Sequence, residues 1–293
     1  MRVALLSSGF GERALSRGAR GGTPRKKPAN DNLERLARAF ADTGWEVARL
    51  TYETLALTPG GVAACGAGGG AAALERFDLV WLFGFGRRET FLDRMHLLRR
   101  LPQERFVNTV DALVLMHGKL GLPEFQPETY ASSDPAALMR RIASGGRWVV
   151  KPMAGSFGRD VVRVEGNGPD TERVLRRLTA RGGYCVLQRY VAEAATREKR
   201  VIVAGDRVIG AYAKTGNVAA GAVPRLAELS SEETELAQRV VARLSAQGAR
   251  FAGVDLAWPY VFEANIANPG GLATLEALTG VDPAPRVVEA LTP

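Results

Sequence analysis

The sequence predicts an α/β unit at its N-terminal end followed by α+β structure, and three observations carry that expectation. Apolar strand-like runs alternate with helical periodicity in the first third. From Trp148 onward the pattern turns to short strands joined by turns. At 293 residues the chain is also long enough for two or three compact units. Its 46% hydrophobic and 24% charged residues lie near globular averages, which argues against disorder over most of the length.

The first strand is expected over Arg2 to Ser7, followed by a Gly-rich basic loop through Asn30. An amphipathic helix from about Asp31 to Thr43 places Leu33, Leu36, Ala37 and Phe40 on one face, with Asp31 or Asn30 as its cap. Trp45 to Tyr52 and Phe77 to Phe83 read as further strands of a mostly parallel sheet, whereas Pro59 to Ala73, almost all Gly and Ala, reads as a loop. Phe106-Val107-Asn108 reads as the last strand of this unit, and Val110 to Lys119 as a helix leaving it. Beyond lie predicted strands at Trp148 to Lys151, Asp160 to Val164, Tyr184 to Val191, Arg200 to Val203 and Arg207 to Lys214, with a helix at Thr171 to Arg181. A helix over Ser231 to Gln247 opens with a capping box at Ser230 and Glu233. Arg250 to Trp258 and Val261 to Ile266 then form a hairpin.

Several function classes are excluded. No run approaches the roughly 18 to 20 apolar residues needed to span a bilayer. The apolar stretch at the N-terminus is too short for a signal peptide, so a cytoplasmic protein is expected. Cys65 and Cys185 lack metal-like spacing and suggest no disulfide framework. A net charge of +8 invites a nucleic-acid reading, yet only Arg13 to Lys27 concentrates it, and no RNA-binding or zinc-finger pattern accompanies it. Nucleic-acid binding is therefore disfavoured. Only six of the 39 basic residues are lysine, and four of these, Lys119, Lys151, Lys199 and Lys214, fall in the segments that look chemical. Lysine is a compact point charge where arginine is a planar fork, so lysine kept against such a bias points to a need for the ammonium.

Val149-Val150-Lys151-Pro152 followed by Gly155-Ser156-Phe157-Gly158-Arg159 and a second strand has the residues to turn backbone N–H groups and one lysine onto phosphate oxygens. An ordinary Gly-rich hairpin fits that segment alone equally well. Cys185 to Val191, with Glu193 behind it, offers a strand edge that can read a base and an acid for ribose hydroxyls; a buried strand before the Glu198-Lys199-Arg200 charge run is the plainer alternative. More specific is Phe251 to Asn265. With a turn at Trp258 to Tyr260, Asp255 falls opposite Glu263, and the period of two brings Asn265 to the same face. Facing carboxylates repel, so something positive should lie between them, and Mg²⁺ held by carboxylates, water and phosphates is the natural candidate.

In order, Lys119, Lys151 with its glycine loop, Gln188-Arg189-Tyr190-Val191, Glu198-Lys199-Arg200, Asn217-Val218-Ala219-Ala220-Gly221, Asp255 and Glu263-Ala264-Asn265 resemble the ATP-grasp superfamily, in its bacterial glutathione synthetase and RimK-like glutamate ligase branch. The resemblance implies an α/β N-terminal domain followed by an ATP-grasp fold, two α+β subdomains clamping ATP. The units are expected at 1–107, 108–183 (with the glycine-rich flap) and 184–293 (with the metal hairpin). The activity it implies is an ADP-forming carboxylate–amine ligase working through an acyl phosphate, on a small-molecule or peptide carboxylate and an amino-acid amine. A homo-oligomer is expected. Lys119 and Lys151 would contact ATP phosphates, Gly155, Ser156, Phe157 and Gly158 would fold over them, and Gln188, Arg189, Tyr190 and Val191 would hold adenine. Glu193 is the ribose candidate and Glu198 joins the nucleotide residues. Arg200, Lys214 and Asn217 form the catalytic set. Asp255, Glu263 and Asn265 would hold Mg²⁺, with Mn²⁺ as its candidate substitute.

Two departures matter. Glutathione synthetases carry a long arginine-bearing loop before Asn-x-Ala-Ala-Gly, whereas only Thr215 and Gly216 separate Lys214 from Asn217 here. Lys214 then stands in for the missing arginine, and the substrates can differ. The glycines of Asn268-Pro269-Gly270-Gly271 could cradle a substrate carboxylate at the following helix. The loop Ser7 to Gly11 should line the acceptor pocket, and the arm Arg13 to Lys27 behind it suits an acidic acceptor. The competing function is a nucleotide-binding regulatory or scaffold protein without turnover.

Overall fold

A computed structural model of the chain describes residues 1–8, 30–66, 68–153, 160–214 and 223–292. β1 (Arg2–Ser7) buries Val3, Ala4, Leu5 and Leu6, as a parallel strand covered on both faces requires. α1 (Asn32–Asp42) follows with Leu36, Ala37 and Phe40 buried at the expected spacing. β2 (Glu46–Thr51) returns parallel to β1. A small antiparallel sheet follows, of β3 (Ala56–Thr58), β4 (Gly61–Cys65) and β5 (Ala71–Ala73), the last two lying in the stretch expected as a loop. Its alternation escapes notice because the buried side chains of β4 are Val62 and Ala64, and alanine marks neither strand nor turn. β6 (Leu79–Phe83) completes the parallel sheet in the order β2-β1-β6, and α2 (Phe91–Leu98) follows.

Phe106 to Asn108 is not the expected strand. Phe106 makes a single bridge to Val80, and the Val107 N–H donates to the Val80 carbonyl at 3.0 Å. Asn108 makes one antiparallel bridge to Ala249, and side-chain chemistry adds to it: buried Asn108 donates to the Phe251 and Ile266 carbonyls (2.8 and 2.6 Å) and accepts from the Arg250 and Phe251 N–H groups (2.7 and 2.9 Å). α3 (Val110–Leu115) is capped by the Thr109 hydroxyl and ends sooner than its expected limit at Lys119.

The second layer comprises β7 (Thr129–Ser132), α4 (Pro135–Ala143), β8 (Arg147–Pro152), β9 (Val162–Glu165), α5 (Pro169–Leu178) and β10 (Cys185–Arg189). Its antiparallel sheet runs β7-β10-β8-β9. Trp148, Val150, Cys185 and Leu187 pack with Leu138 and Ile142 of α4 and Leu175 of α5. Since neighbouring residues point to opposite faces, Lys151 and Gln188 occupy the other side. β10 is a central strand of this sheet, although the expected boundary between 183 and 184 assigns it to the following unit; α6 (Ala194–Arg197) leads from it to the next sheet.

The third layer holds β11 (Lys199–Ala204), β12 (Arg207–Ala213), β13 (Arg225–Leu226), α7 (Ser231–Ala246), β14 (Phe251–Ala257), β15 (Tyr260–Asn265), α8 (Leu272–Thr279) and α9 (Ala284–Leu291). The sheet order is β13-β12-β11-β14-β15, antiparallel throughout. The capping box of Ser230 and Glu233 opens α7 as expected. Val201 and Val203 join the core containing Leu236, Val240 and Leu244 of α7, whereas Ile202 and Ala204 join the core containing Leu272 of α8 and Val287 and Leu291 of α9. Arg35 of α1, buried and paired with Asp31 of its own helix start (2.9 Å), ties the N-terminal unit to this layer through Glu276 (2.7 Å) and Asp282 (2.8 Å).

Candidate active site

Asp255 on β14 and Glu263 on β15 are direct cross-strand partners, and Asn265, opposite Gly253, lies one pleat away on their face. The register steps between Asp255 and Leu256, pairing them with Glu263 and Val261, so Phe262 is the extra residue of a bulge. Its ring centroid lies 5.5 Å from Lys151 Nζ, which links the hairpin to the four-stranded sheet.

Each of the two carboxylates already has a side-chain cation beside it. Asp255 is 3% exposed; Arg200 grips it through Nε and, at 2.7 Å, through Nη2, and Lys214 Nζ donates to Oδ2 at 2.9 Å. Lys214 also donates to Glu198 Oε1 at 2.8 Å, and Lys119 Nζ stands 3.4 Å from Glu263 Oε1. Burial alone would push the Asp255 carboxyl up, but the two cations outweigh it and hold the group well below the usual carboxylate range. For Glu198 burial prevails over the pull of Lys214 and the pKa is raised. Arg200 lies across β14 because position 253 is glycine: a Cβ there would meet Pro269 Cβ at 2.8 Å and Arg200 Cδ at 3.2 Å. Its Nη1 also donates to the Gly270 carbonyl at 3.1 Å. The charge run Glu198-Lys199-Arg200 is split by the pleat, since Lys199 turns to Glu233 of α7 and takes no part in this cluster.

Lys151 Nζ donates to Gln188 Oε1 at 2.7 Å, and Gln188 Nε2 donates to Thr129 Oγ1 at 2.9 Å. Burial depresses the Lys151 ammonium to about 8; Glu263 pulls it up and Lys119 pushes it further down.

The strand expected to read adenine is less open than its sequence suggested. β10 has neighbours on both sides, and the N–H groups of Arg189 and Tyr190 donate to the carbonyls of Glu128 (2.8 Å) and Arg147 (2.9 Å). Arg189 points to the helix-covered face, stacking on Trp148 at 3.9 Å and bonding Glu128. The Tyr190 ring is flanked by the Arg147 and Arg163 guanidiniums at 4.9 and 4.3 Å. The chain leaves the sheet only at Val191, after which exposed Glu193 starts α6. Gly155, Ser156, Phe157, Gly158, Asn217 and the arm Arg13 to Lys27 lie outside the described residues.

One residue near the cluster was not foreseen. Gly118 bridges Ala264 through two backbone hydrogen bonds, and half-buried His117 accepts the Ile266 N–H at Nδ1 (3.2 Å) while its ring meets Phe85 at 4.6 Å. Burial lowers the His117 pKa, which keeps Nδ1 an acceptor. This stitching along β15 is what brings Lys119 to Glu263. A lone histidine carries no such information in sequence.

Residues 117–280 match the family model for the ATP-grasp domain of prokaryotic glutathione synthetase. The chain belongs to this family. This ATP-grasp chain is 27% identical over 206 residues to the glutathione synthetase of Gloeobacter violaceus, a match covering 68% of the chain and 60% of that relative. It is 27% identical over 237 residues to the enzyme of the same name from Parasynechococcus marenigrum, covering 75% and 76%. Among solved structures, D-cycloserine synthetase DcsG superposes with a TM-score of 0.69 at 18% identity, over 99% of this chain and 98% of that one. A RimK domain ATP-grasp protein from Sphaerobacter thermophilus gives 0.65 at 20% identity over 99% of each chain. The ATP-grasp ligase PsnB, complexed with a minimal precursor, Mg and ADP, gives 0.66 at 17% identity over 98% and 96%. These likenesses establish the ATP-grasp fold.

ATP-grasp ligases work with ATP and Mg²⁺, and the donor set suits that ion. Among the described residues no group of three or more His, Cys, Asp or Glu side chains is placed to hold a metal by itself. Two facing carboxylates and an amide oxygen are what Mg²⁺ takes when phosphates and water fill its remaining positions.

Proposed function

We propose that this chain is an ADP-forming acid–amino-acid ligase. ATP gives its γ-phosphoryl group to an acceptor carboxylate, releasing ADP; an amine then attacks the acyl phosphate, forming the amide and releasing phosphate. The observation that carries this reading is the meeting of Asp255 and Glu263, cross-strand partners, with Arg200 and Lys214 on the first and Lys119 on the second, while Lys151 of the facing sheet lies over the neighbouring Phe262 ring.

In this reading Lys119 and Lys151 neutralise the nucleotide phosphates, while Arg200 and Lys214 face the phosphoryl group in transfer and Asn217 is assigned to the same catalytic set. Bound through Asp255, Glu263 and Asn265, Mg²⁺, or Mn²⁺ in its place, supplies Lewis-acid stabilisation of the phosphate charge. Gly155 to Gly158 cover the phosphates, and adenine lies against the chain where it leaves β10, from Gln188 to Val191, with Glu193 at the ribose and Glu198 beneath the phosphates. The protein's task is positioning and electrostatic stabilisation, since phosphoryl transfer asks little covalent chemistry of it. Excluding water then protects the acyl phosphate.

The acceptor is a small-molecule or peptide carboxylate bound between the N-terminal unit and the metal hairpin. The short connection from Lys214 to Asn217 allows substrates other than those of glutathione synthesis, which stays one candidate beside RimK-like ligation. No helix among the described residues is long and apolar enough to cross a membrane, and we place the protein in the cytoplasm, as a homo-oligomer. A scaffold that only binds nucleotide needs neither the facing carboxylates nor so many cations around them. Incubation with ATP, Mg²⁺, pooled carboxylates and hydroxylamine should yield hydroxamate and ADP together; nucleotide binding without either product would favour the scaffold.

A further inference from the structure

We infer that Lys214 is a tethered stand-in for the metal ion: its ammonium completes the charge on Asp255 and Glu198 in the nucleotide-free protein, so a divalent cation binds firmly only together with nucleotide. The inference rests on the ATP reading above and concerns how its metal site is kept before ATP arrives.

The geometry points to Lys214 rather than Arg200. Arg200 sits within β11, lies across Gly253, holds Asp255 through two nitrogens and is further fixed by the Gly270 carbonyl. Lys214 stands just past the end of β12, with its N–H bonded to the Glu198 carbonyl at 2.7 Å, so the backbone is held while the four-carbon stem reaches inward. Its ammonium touches two carboxylates, Asp255 at 2.9 Å and Glu198 at 2.8 Å. Asp255 is the carboxylate that the ammonium shares with the metal set of Asp255, Glu263 and Asn265, so a compact cation already occupies an oxygen that the ion would take.

The two cannot coexist there. A divalent ion bound to Asp255 would stand within a few ångströms of the ammonium in a site that excludes most water, where like charges repel strongly. The ammonium must therefore leave as the ion enters, and leaving is favourable only when another anion receives it. The nucleotide phosphates provide that anion. Lys214 is thus a positioning residue for metal and phosphate, and the metal-free site needs no ion to stay folded.

Manganese binding followed by electron paramagnetic resonance tests this without turnover. Without nucleotide, wild type should bind Mn²⁺ weakly; Lys214→Met should bind it at least tenfold more tightly, Lys214→Arg as weakly as wild type, and Lys214→Met with Asp255→Asn should lose the gain. Mn²⁺ should raise the melting temperature of Lys214→Met but not of wild type, through linkage. Should the Met variant fail to fold even with Mn²⁺, Lys214→Gln carries the same comparison. Equal affinities in wild type and the neutral variant overturn the inference, while firm wild-type uptake of Mn²⁺ with a non-hydrolysable ATP analogue would leave the ATP reading standing. Failure of that uptake overturns both.

Discussion

The Lys151 ammonium donates to the Gln188 amide oxygen across adjacent strands at 2.7 Å, fixing one candidate phosphate ligand on the face of the sheet opposite its helices. Replacing Lys151 by Ala should raise the ATP dissociation constant about 10- to 100-fold, the range for one lost hydrogen bond to a charged group. Gln188→Ala should weaken ATP binding less, because it frees the ammonium without removing it. Lys199→Ala, which loses its partner Glu233 on the other face of the neighbouring sheet, should leave ATP affinity unchanged. Titration of each variant with a fluorescent ATP analogue checks the order; equal losses from Lys151 and Lys199 would mean that general positive charge, not position, attracts the nucleotide.

The same lysine gives a pH dependence. Burial sets its ammonium at about 8, below the ordinary lysine range. Below that pH the free protein presents a charged ligand; above it, binding the triphosphate must draw in a proton. The ATP dissociation constant should therefore rise above about pH 8, approaching tenfold per unit, and Lys151→Met should flatten this profile. In the free protein the sign for stability follows from proton counting. The unfolded chain binds more protons than the folded one between about 8 and 10.5, so the penalty for the buried ammonium diminishes as pH rises through that window. Calorimetry in buffers of different ionisation enthalpy reads the proton uptake directly.

Asp255→Asn and Glu263→Gln should both abolish hydroxamate formation, yet they should differ in stability. Repulsion between facing carboxylates suggests from sequence that neither change lowers stability. The structure reverses that for Asp255, because Arg200 and Lys214 already neutralise it. Asn at 255 leaves two buried cations short of their counter-charge and should cost about 3 to 5 kcal/mol. Glu263 is more open and its partner more distant at 3.4 Å, so Gln there should cost about 1 kcal/mol or less. Urea denaturation of the two variants separates these outcomes, and equal losses would remove the Arg200–Lys214 explanation.

What the sequence made legible was whatever has a short period or a local signature. The hairpin register that sets Asp255 against Glu263 follows from a turn and a period of two, and the Ser230–Glu233 capping box from adjacent residues. Lys151 and Lys214 stood out because the chain otherwise uses arginine. What stayed hidden depends on contacts far apart in sequence. Nothing local shows that β10 is central, that Arg189 turns away to Trp148, or that Lys214 closes on Asp255. The alanine-rich sheet of β3 to β5 was lost because its small side chains carry almost no hydrophobic contrast.

Asn108 illustrates the last point and yields a test. Strand pairing gives it only a bridge to Ala249, whereas its side chain, 3% exposed, donates twice and accepts twice, joining the segment before α3 to the start of β14 and the end of β15. Those two ends bracket Asp255 and Asn265, so the amide holds the metal hairpin against the N-terminal unit. Ala at 108 would strand the buried Phe251 N–H and two buried carbonyls, each costing about 1 to 3 kcal/mol when no partner replaces it, while the Arg250 N–H keeps the Val107 carbonyl at 3.2 Å. Partial relaxation and water entry make the sum smaller than three separate losses, and we expect about 3 to 5 kcal/mol in all. Asp at 108 keeps the shape and the acceptor but loses both donated bonds and places a carboxylate near two carbonyls, so it should be no better than Ala. Glutamine has the right groups on a longer stem and should recover little, since the pocket is closed. Urea melts of the three variants decide the matter. A loss below about 1 kcal/mol for Asn108→Ala would show that water satisfies the freed groups and that the hairpin does not depend on this side chain for its place.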